Sequence, residues 1–300
     1  MTHSHHHHAP PDNFNLAFAV SVSLNLLYTV VQAFYAISAN SMSLLADAGH
    51  NLGDVLGLLL AWGASWLLTR PASERYSYGY KRTSILAALL NASILVGASC
   101  LIAYESINKF FHPENVAAMT VIVVALVGIV INTGTALLFF KDRHSDINIK
   151  GAFLHLASDA LVSLGVVIGA AVIYYTDWHW VDPLIGLLIV ATILYSTWGL
   201  LIDSVNLIMD AVPRHIDQKA VRELLLSHKG VKTIHDLHIW GLSSKEIALT
   251  AHLIVPDQSF TDEDHQTFAH DLKHKFKIGH VTLQVEQGKN EFPCQHLKGC

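Results

Sequence analysis

Charge is what this chain has least of. Only 14% of its 300 residues are Asp, Glu, Lys or Arg, whereas a soluble domain carries about a quarter. That is too little charge to cover a surface facing water on all sides. Cysteine is scarce as well: Cys100 lies in an apolar run, and Cys294 and Cys300 lie in the tail. Three such residues make no disulfide framework, and a reducing compartment is expected for the tail. Basic residues are outnumbered, 19 against 24 acidic ones, for a formal charge of −5, so nothing points to a nucleic-acid partner. No Lys or Arg precedes the first apolar run. That run is too long for the core of a secretory signal, and none is expected. What the chain does have is apolar residues, 52% of the total at a mean hydropathy of +0.38, and 20 histidines. Histidine in that excess points to metal. The opening run with His5, His6, His7 and His8 is interrupted by Ser4. Purification tags are usually longer and unbroken, so it reads as a native tail that gathers metal.

Six stretches are long enough to cross about 30 Å of hydrocarbon as helices: 14–37, 44–68, 83–111, 116–140, 149–175 and 181–207. Turn and charge signals fill the gaps between them, and Tyr and Trp gather near several ends, as interfacial belts do. The gaps after the second and fourth stretches hold Arg70, Arg75, Lys81, Arg82, Lys141 and Arg143, and Lys150 follows at the very start of the fifth stretch. The other gaps hold almost no basic residue. Positive charge stays inside, so both termini are expected in the cytosol.

After about Asp210 the chain changes character, with a density of charge that no membrane segment tolerates. The periodicities predict helix 215–227, strand 231–242, strand 246–255, helix 261–276 and strand 280–286. This αββαβ order predicts a small cytosolic α+β domain, an antiparallel sheet packed on helices.

Polar groups inside the spans are the most informative feature, because a charge at mid-membrane costs about 2.5–3.5 kcal/mol on insertion scales. The second span contains His50-x-x-x-Asp54 and the fifth His155-x-x-x-Asp159. Four residues turn an α-helix by about 400°, so each His stacks on its Asp. Two such faces opposed across a bundle form a tetrahedral set for Zn²⁺. A single pair would read as a self-satisfied hydrogen bond; the same spacing on two spans reads as a metal site. Asp47, one turn before His50, is an accessory candidate for metal entry or proton handling. In the cytosolic part His235, His238, His252 and His280 fall on predicted strands and Glu286 ends the last. His235 and His238 are an odd number apart, so alternation sends them to opposite faces. His235 and His252 are expected to converge with Glu286 and a tail cysteine, Cys294 or Cys300, with Cys294 taken into the set and His280 as an accessory. His265, His270 and His274 read as a solvated helix face.

At this point the sequence resembles the cation diffusion facilitator family over nearly its whole length. The segments that carry the resemblance are Leu44-Leu-Ala-Asp-Ala-Gly-His-Asn-Leu-Gly-Asp54, His155-Leu-Ala-Ser-Asp159 and His235-Asp-Leu-His-Ile-Trp240. The resemblance implies homodimers, a cytosolic domain similar to metallochaperones, and export of cytosolic metal in exchange for protons. It implies transport ligands at His50, Asp54, His155 and Asp159, and cytosolic ligands that include His235, His252 and Glu286. The two-His, two-Asp set looks like the zinc branch. One departure is that 141–150, where many relatives are rich in histidine, has only His144; the N-terminal histidines are candidates to substitute.

The expected organisation is a His-rich cytosolic tail (1–13), a six-helix transmembrane domain (14–208), a cytosolic α+β domain for metal binding and dimerisation (209–288), and a Cys- and His-containing tail (289–300). The expected function is a zinc/proton exchanger of a bacterial inner membrane, with Zn²⁺ as substrate and as regulatory ligand. A membrane metalloenzyme is the first rival, but His-Glu-x-x-His and repeated His boxes are lacking, and a complete ligand set leaves no position for water. A passive metal channel or sensor is the second, separated by the sensitivity of flux to a pH gradient.

Overall fold

A computed structural model of the chain describes residues 12–140, 147–228, 230–256 and 260–288. His5, His6, His7, His8, His144, Cys294 and Cys300 lie outside the described residues.

Six helices come first: α1 (Asp12–Ser38), α2 (Met42–Leu68), α3 (Thr83–Phe111), α4 (Ala118–Phe140), α5 (Ile147–Thr176) and α6 (Val181–Ile208). Each holds a segment long and apolar enough to cross a membrane, with mean hydropathy from 1.3 in α2 to 2.4 in α4. Polarity is distributed inside out relative to a soluble protein. Gln32, Asp47, Asn132, Asp159 and Asp182 are buried, while Leu101, Tyr104 and Tyr195 stand on the outer surface. Lipid accommodates that exterior, and the polar groups face the bundle interior where they can pair.

The chain forms two compact units, one of 12–59 with 91–198 and the other of 60–90 with 199–288. In the first unit α2 presents Gly49, Gly53 and Gly57 at four-residue spacing, so all three share one face. That face meets α3. A Cβ at Gly53 would overlap the Leu95 side chain, and one at Gly57 would lie 2.9 Å from Asn91 Nδ2. Small residues of this kind let two helices approach closely where no hydrophobic effect drives them together.

The start of α2 is held from elsewhere in the chain. Asp182 reads from sequence as the cap of its own helix, but it lies in the first turn of α6 and its carboxylate serves α2. It accepts hydrogen bonds from Met42 N at 2.5 Å, Ser41 Oγ at 2.6 Å, Ser43 Oγ at 2.5 Å and Ser43 N at 3.3 Å. The exposed donors of a helix N-terminus and its dipole favour a carboxylate there. Gly186, one turn further along α6, makes room for this junction, since a Cβ would lie 3.1 Å from the Met42 backbone. Asn40, at φ 57°, turns the chain between α1 and α2. Its side-chain amide donates to Glu114. That bond, with Lys109 beside it, holds the Glu114 carboxyl below its ordinary range.

The second unit contains the basic connection between α2 and α3. Arg82 pairs with Asp210 at 2.6 Å, Lys81 with Glu246, and Ser244 N donates to Ser84 Oγ. Its C-terminal part runs α7 (Gln218–Leu226), β1 (Thr233–Gly241), β2 (Ile247–Ile254), α8 (Asp262–Phe276) and β3 (Ile278–Glu286). Helix α7 begins at Gln218 rather than at 215 because Asp217 caps it, accepting from Lys219 N and Ala220 N. Thr261 and Asp264 form a reciprocal capping box on α8. The Thr261 backbone N–H, first among several donors, holds the Asp264 carboxyl below the usual carboxylate range.

The sheet order is β1-β2-β3, with β1 antiparallel and β3 parallel to β2. The expected all-antiparallel sheet is therefore corrected to a mixed one. The cause is topological: β2 reaches β3 through a whole helix, and a crossover of that length returns the chain in the same direction. Leu225, Ile234, Leu249, Leu253, Leu272 and Ile278 make the fully buried centre between sheet and helices.

Candidate metal centres

Two helices supply the first centre. His50 and Asp54 lie one turn apart on α2, and His155 and Asp159 one turn apart on α5. The structure brings all four into an alternating ring, within which donor atoms of His50, Asp54 and Asp159 all lie within 4.8 Å of one another. Its sides are 3.7 Å (His50 Nε2 to Asp54 Oδ2), 3.3 Å (Asp54 Oδ2 to His155 Nε2), 3.6 Å (His155 Nε2 to Asp159 Oδ2) and 3.5 Å (Asp159 Oδ1 to His50 Nε2). The imidazoles sit edge to face, centroids 6.2 Å apart. Each imidazole thus lies between two carboxylates and each carboxylate between two imidazoles. Asp159 is buried, and Asp54 Oδ2 is a buried oxygen that accepts no hydrogen bond of good geometry among the described residues. A buried carboxylate oxygen without a donor calls for a cation or a proton. A cavity of about 80 Å³ opens beside the ring, lined by Ser21, Asn25, Asn51 and Phe139 among others.

Asp47 is not part of the ring. It is fully buried, and its Oδ2 accepts from Gln32 Nε2 at 2.6 Å and from Ser163 Oγ at 3.1 Å. Asn51 Nδ2 in turn donates to Gln32 Oε1 at 3.2 Å. This network ties α1, α2 and α5 together one turn from the ring.

The second centre lies on the outer face of the three-stranded sheet. His235 and His252 are directly opposite each other on β1 and β2, with ring centroids 5.0 Å apart. Glu286, at the end of β3, lies 3.5 Å from His235 Nε2 and 2.8 Å from His252 Nδ1. Donor atoms of these three residues all lie within 4.8 Å of one another. Two imidazoles and a carboxylate so placed suit a zinc-like ion. Cys294, expected in this set, lies outside the described residues. His280 does not join. It shares the outer face of β3 with Glu286 but stands six residues away, about 20 Å along a strand, and its ring packs against Tyr78 at 5.5 Å.

One expectation about this face is overturned. His235 and His238 do not point to opposite sides. A bulge lies between them: His235 pairs with His252 and His238 with Thr250, so two residues on β1 face one on β2. The inserted residue resets the alternation, and both histidines project outward while Ile234, Leu237 and Ile239 point into the core. Asp236, in the bulge at φ 53°, turns its carboxylate to this face as well. Its Oδ1 is 2.9 Å from His238 Nε2 and its Oδ2 is 3.4 Å from His252 Nε2. The sequence reading missed Asp236, because a bulge leaves no trace in a hydrophobic pattern.

Residues 18–209 match the family model described as the cation efflux transmembrane domain, and 213–288 match the cation efflux protein cytoplasmic domain. The chain is 34% identical over 291 residues to the cadmium, cobalt and zinc/H(+)-K(+) antiporter of Bacillus subtilis, covering 95% of this chain and 92% of that protein. It is 35% identical over 298 residues to the metal cation efflux system protein CzcD of Cupriavidus metallidurans, covering 98% and 91%. It is 31% identical over 306 residues to the zinc transporter ZitB of Escherichia coli, covering 99% and 96%. Among solved structures, the metal-bound C-terminal domain of the CzcD transporter is 38% identical, covering 24% of this chain and 99% of that one at a TM-score of 0.22. The chain belongs to the cation efflux family: it is an integral membrane transporter of cations and not an enzyme.

Proposed function

We propose that this member of the cation efflux family exports zinc from the cytosol in exchange for protons, with His50, Asp54, His155 and Asp159 as the ligands of the transported ion. The observation that carries the reading is the alternation of the ring: each imidazole meets two carboxylates at 3.3 to 3.7 Å, and donor atoms of His50, Asp54 and Asp159 all lie within 4.8 Å of one another. Two imidazoles and two carboxylates are a donor set that suits a zinc-like ion. The Escherichia coli relative is named a zinc transporter, and the Bacillus subtilis relative an antiporter of cadmium, cobalt and zinc.

The chemistry of release follows from the ligands. Each holds metal only when deprotonated, and imidazole titrates near neutrality. Protons arriving from the far side compete for the four donors and displace the ion, and the protonated site then returns them inward. Access alternates as α2 and α5 shift against the other helices. The basic connection between α2 and α3 (Arg70, Arg75, Lys81, Arg82) favours a cytosolic position for both termini, and the bacterial source of the named relatives supports a bacterial plasma membrane.

In this reading the domains are the tail 1–13, the transmembrane part 14–208, the cytosolic part 209–288 and the tail 289–300. The cytosolic part joins two copies of the chain, in keeping with the dimerisation domain it matches. His235, His252 and Glu286, with Cys294 from the tail, hold a regulatory zinc that crosslinks neighbouring strands. His5, His6, His7 and His8 gather metal for the transport site.

The test is zinc flux in proteoliposomes with an imposed pH gradient. Zinc is expected to accumulate in vesicles with an acid lumen and to stop accumulating when nigericin dissipates the gradient. Flux indifferent to the gradient would rule out exchange, and undiminished flux in Asp54→Ala would rule out the ring.

A further inference from the structure

The ring of His252 lies between two carboxylates. Nδ1 is 2.8 Å from Glu286 Oε1, and Nε2 is 3.4 Å from Asp236 Oδ2. A neutral imidazole has one N–H and one lone pair, and the partner of the N–H decides which nitrogen is left to bind metal. Glu286 belongs to the trio whose donor atoms share one small volume; Asp236 does not. A proton on Nε2, given to Asp236, leaves the Nδ1 lone pair aimed where Glu286 and His235 also point. We infer that Asp236 is a positioning residue of the cytosolic metal centre: it holds His252 in the Nε2–H tautomer that presents Nδ1 to the ion. The inference rests on the cytosolic centre proposed above.

The local backbone is shaped for this. At φ 53° Asp236 occupies a region that Asn, Asp and Gly tolerate far better than other residues. The bulge that forces this conformation also turns a side chain outward that regular alternation would not have placed beside His252. The second oxygen is committed as well: Oδ1 lies 2.9 Å from His238 Nε2, so His238 fixes the plane of the carboxylate. An acidic partner on the outer nitrogen raises the basicity of the ligating one and fixes its orientation, and removing such a partner typically weakens metal binding by about 10–100-fold.

The positive φ also selects the variants. Asp236→Ala would mix backbone strain with loss of the carboxylate. Asp236→Gly removes the carboxylate and relaxes the backbone, and Asp236→Asn keeps an acceptor oxygen in the same conformation. Zinc alone is the probe, titrated against a competing fluorescent chelator into the full-length protein, with His50, Asp54 and His5 to His8 changed to Ala to silence other sites. Asp236→Gly is expected to weaken binding about 10- to 100-fold, while the zinc-free melting temperature is unchanged or higher. Asp236→Asn should recover most of the affinity. In zinc-loaded protein labelled with ¹⁵N-histidine, the His252 signal, identified by its loss in His252→Ala, should show zinc on Nδ1 and the proton on Nε2; zinc on Nε2 would overturn the tautomer assigned here. Unchanged affinity in Asp236→Gly would overturn the assignment. An Asn variant as weak as the Gly variant would make Asp236 a direct ligand and overturn the positioning role. His235→Ala separates the two levels: if it too leaves binding unchanged, the cytosolic centre itself falls. If it abolishes binding while Asp236→Gly does not, the centre stands and Asp236 has no part in it.

Discussion

Ser41 Oγ donates a 2.6 Å hydrogen bond to the carboxylate of Asp182, a residue 141 positions further along the chain. With Met42 N, Ser43 N and Ser43 Oγ on the same carboxylate, four donors at the start of α2 depend on one side chain of α6. A hydrogen bond to a charged group contributes about 1.5–3 kcal/mol, and buried donors left unpaired cost more. Asp182→Ala is therefore expected to destabilise the protein by about 3 kcal/mol or more, and Asp182→Asn by less because an acceptor remains. Melting temperature in detergent measures both, and an Ala variant melting with the wild type would remove this contact from the account of stability.

Asp54→Ala and Asp159→Ala each delete one corner of the four-sided ring. Zinc affinity at the membrane site should fall by more than the roughly 10–100-fold typical of losing only a ligand's hydrogen-bond partner, and transport should cease with the fold intact. Calorimetry in a background with His235, His252 and His5 to His8 changed to Ala reads this site by itself. Wild-type affinity in both variants would show that the ring does not bind the ion.

Changing His50 to Asp leaves one imidazole and three carboxylates. Oxygen donors suit harder cations, so competition between Zn²⁺ and Mn²⁺ should move toward Mn²⁺ in flux assays. An unaltered ratio would place selectivity outside these four residues.

Gly53 faces Leu95 so closely that any Cβ meets its side chain. Gly53→Val should cost about 1–3 kcal/mol through overpacking, seen as a lower melting temperature. Leu95→Ala alone should also destabilise, but combined with Gly53→Val it should restore part of the loss. Strict additivity of the two changes would mean that they do not touch.

The helices and the ring were legible in the sequence because both rest on short-range regularities. A helix fixes the geometry of residues four apart, and lipid makes every polar group in a span costly enough to be noticed, so His50, Asp54, His155 and Asp159 stood out. What escaped depends on partners distant in sequence or on a break in a regular count. Asp182 looked like the cap of its own helix because Ser41 and Met42 lie about 140 residues away. His238 was sent to the wrong face by a count of alternating residues that an inserted residue at Asp236 invalidates. The direction of β3 was misjudged because strand periodicity carries no information on direction; only the length of the connection through α8 does.

The fastened start of α2 makes that helix a lever. At 1.5 Å per residue, His50 lies about 12 Å and Asp54 about 18 Å from the pivot at Met42. Any swing about that point therefore displaces Asp54 half as far again as His50. If His50 and Asp54 hold the transported ion as proposed, such a swing would carry Asp54 further from α5 than His50.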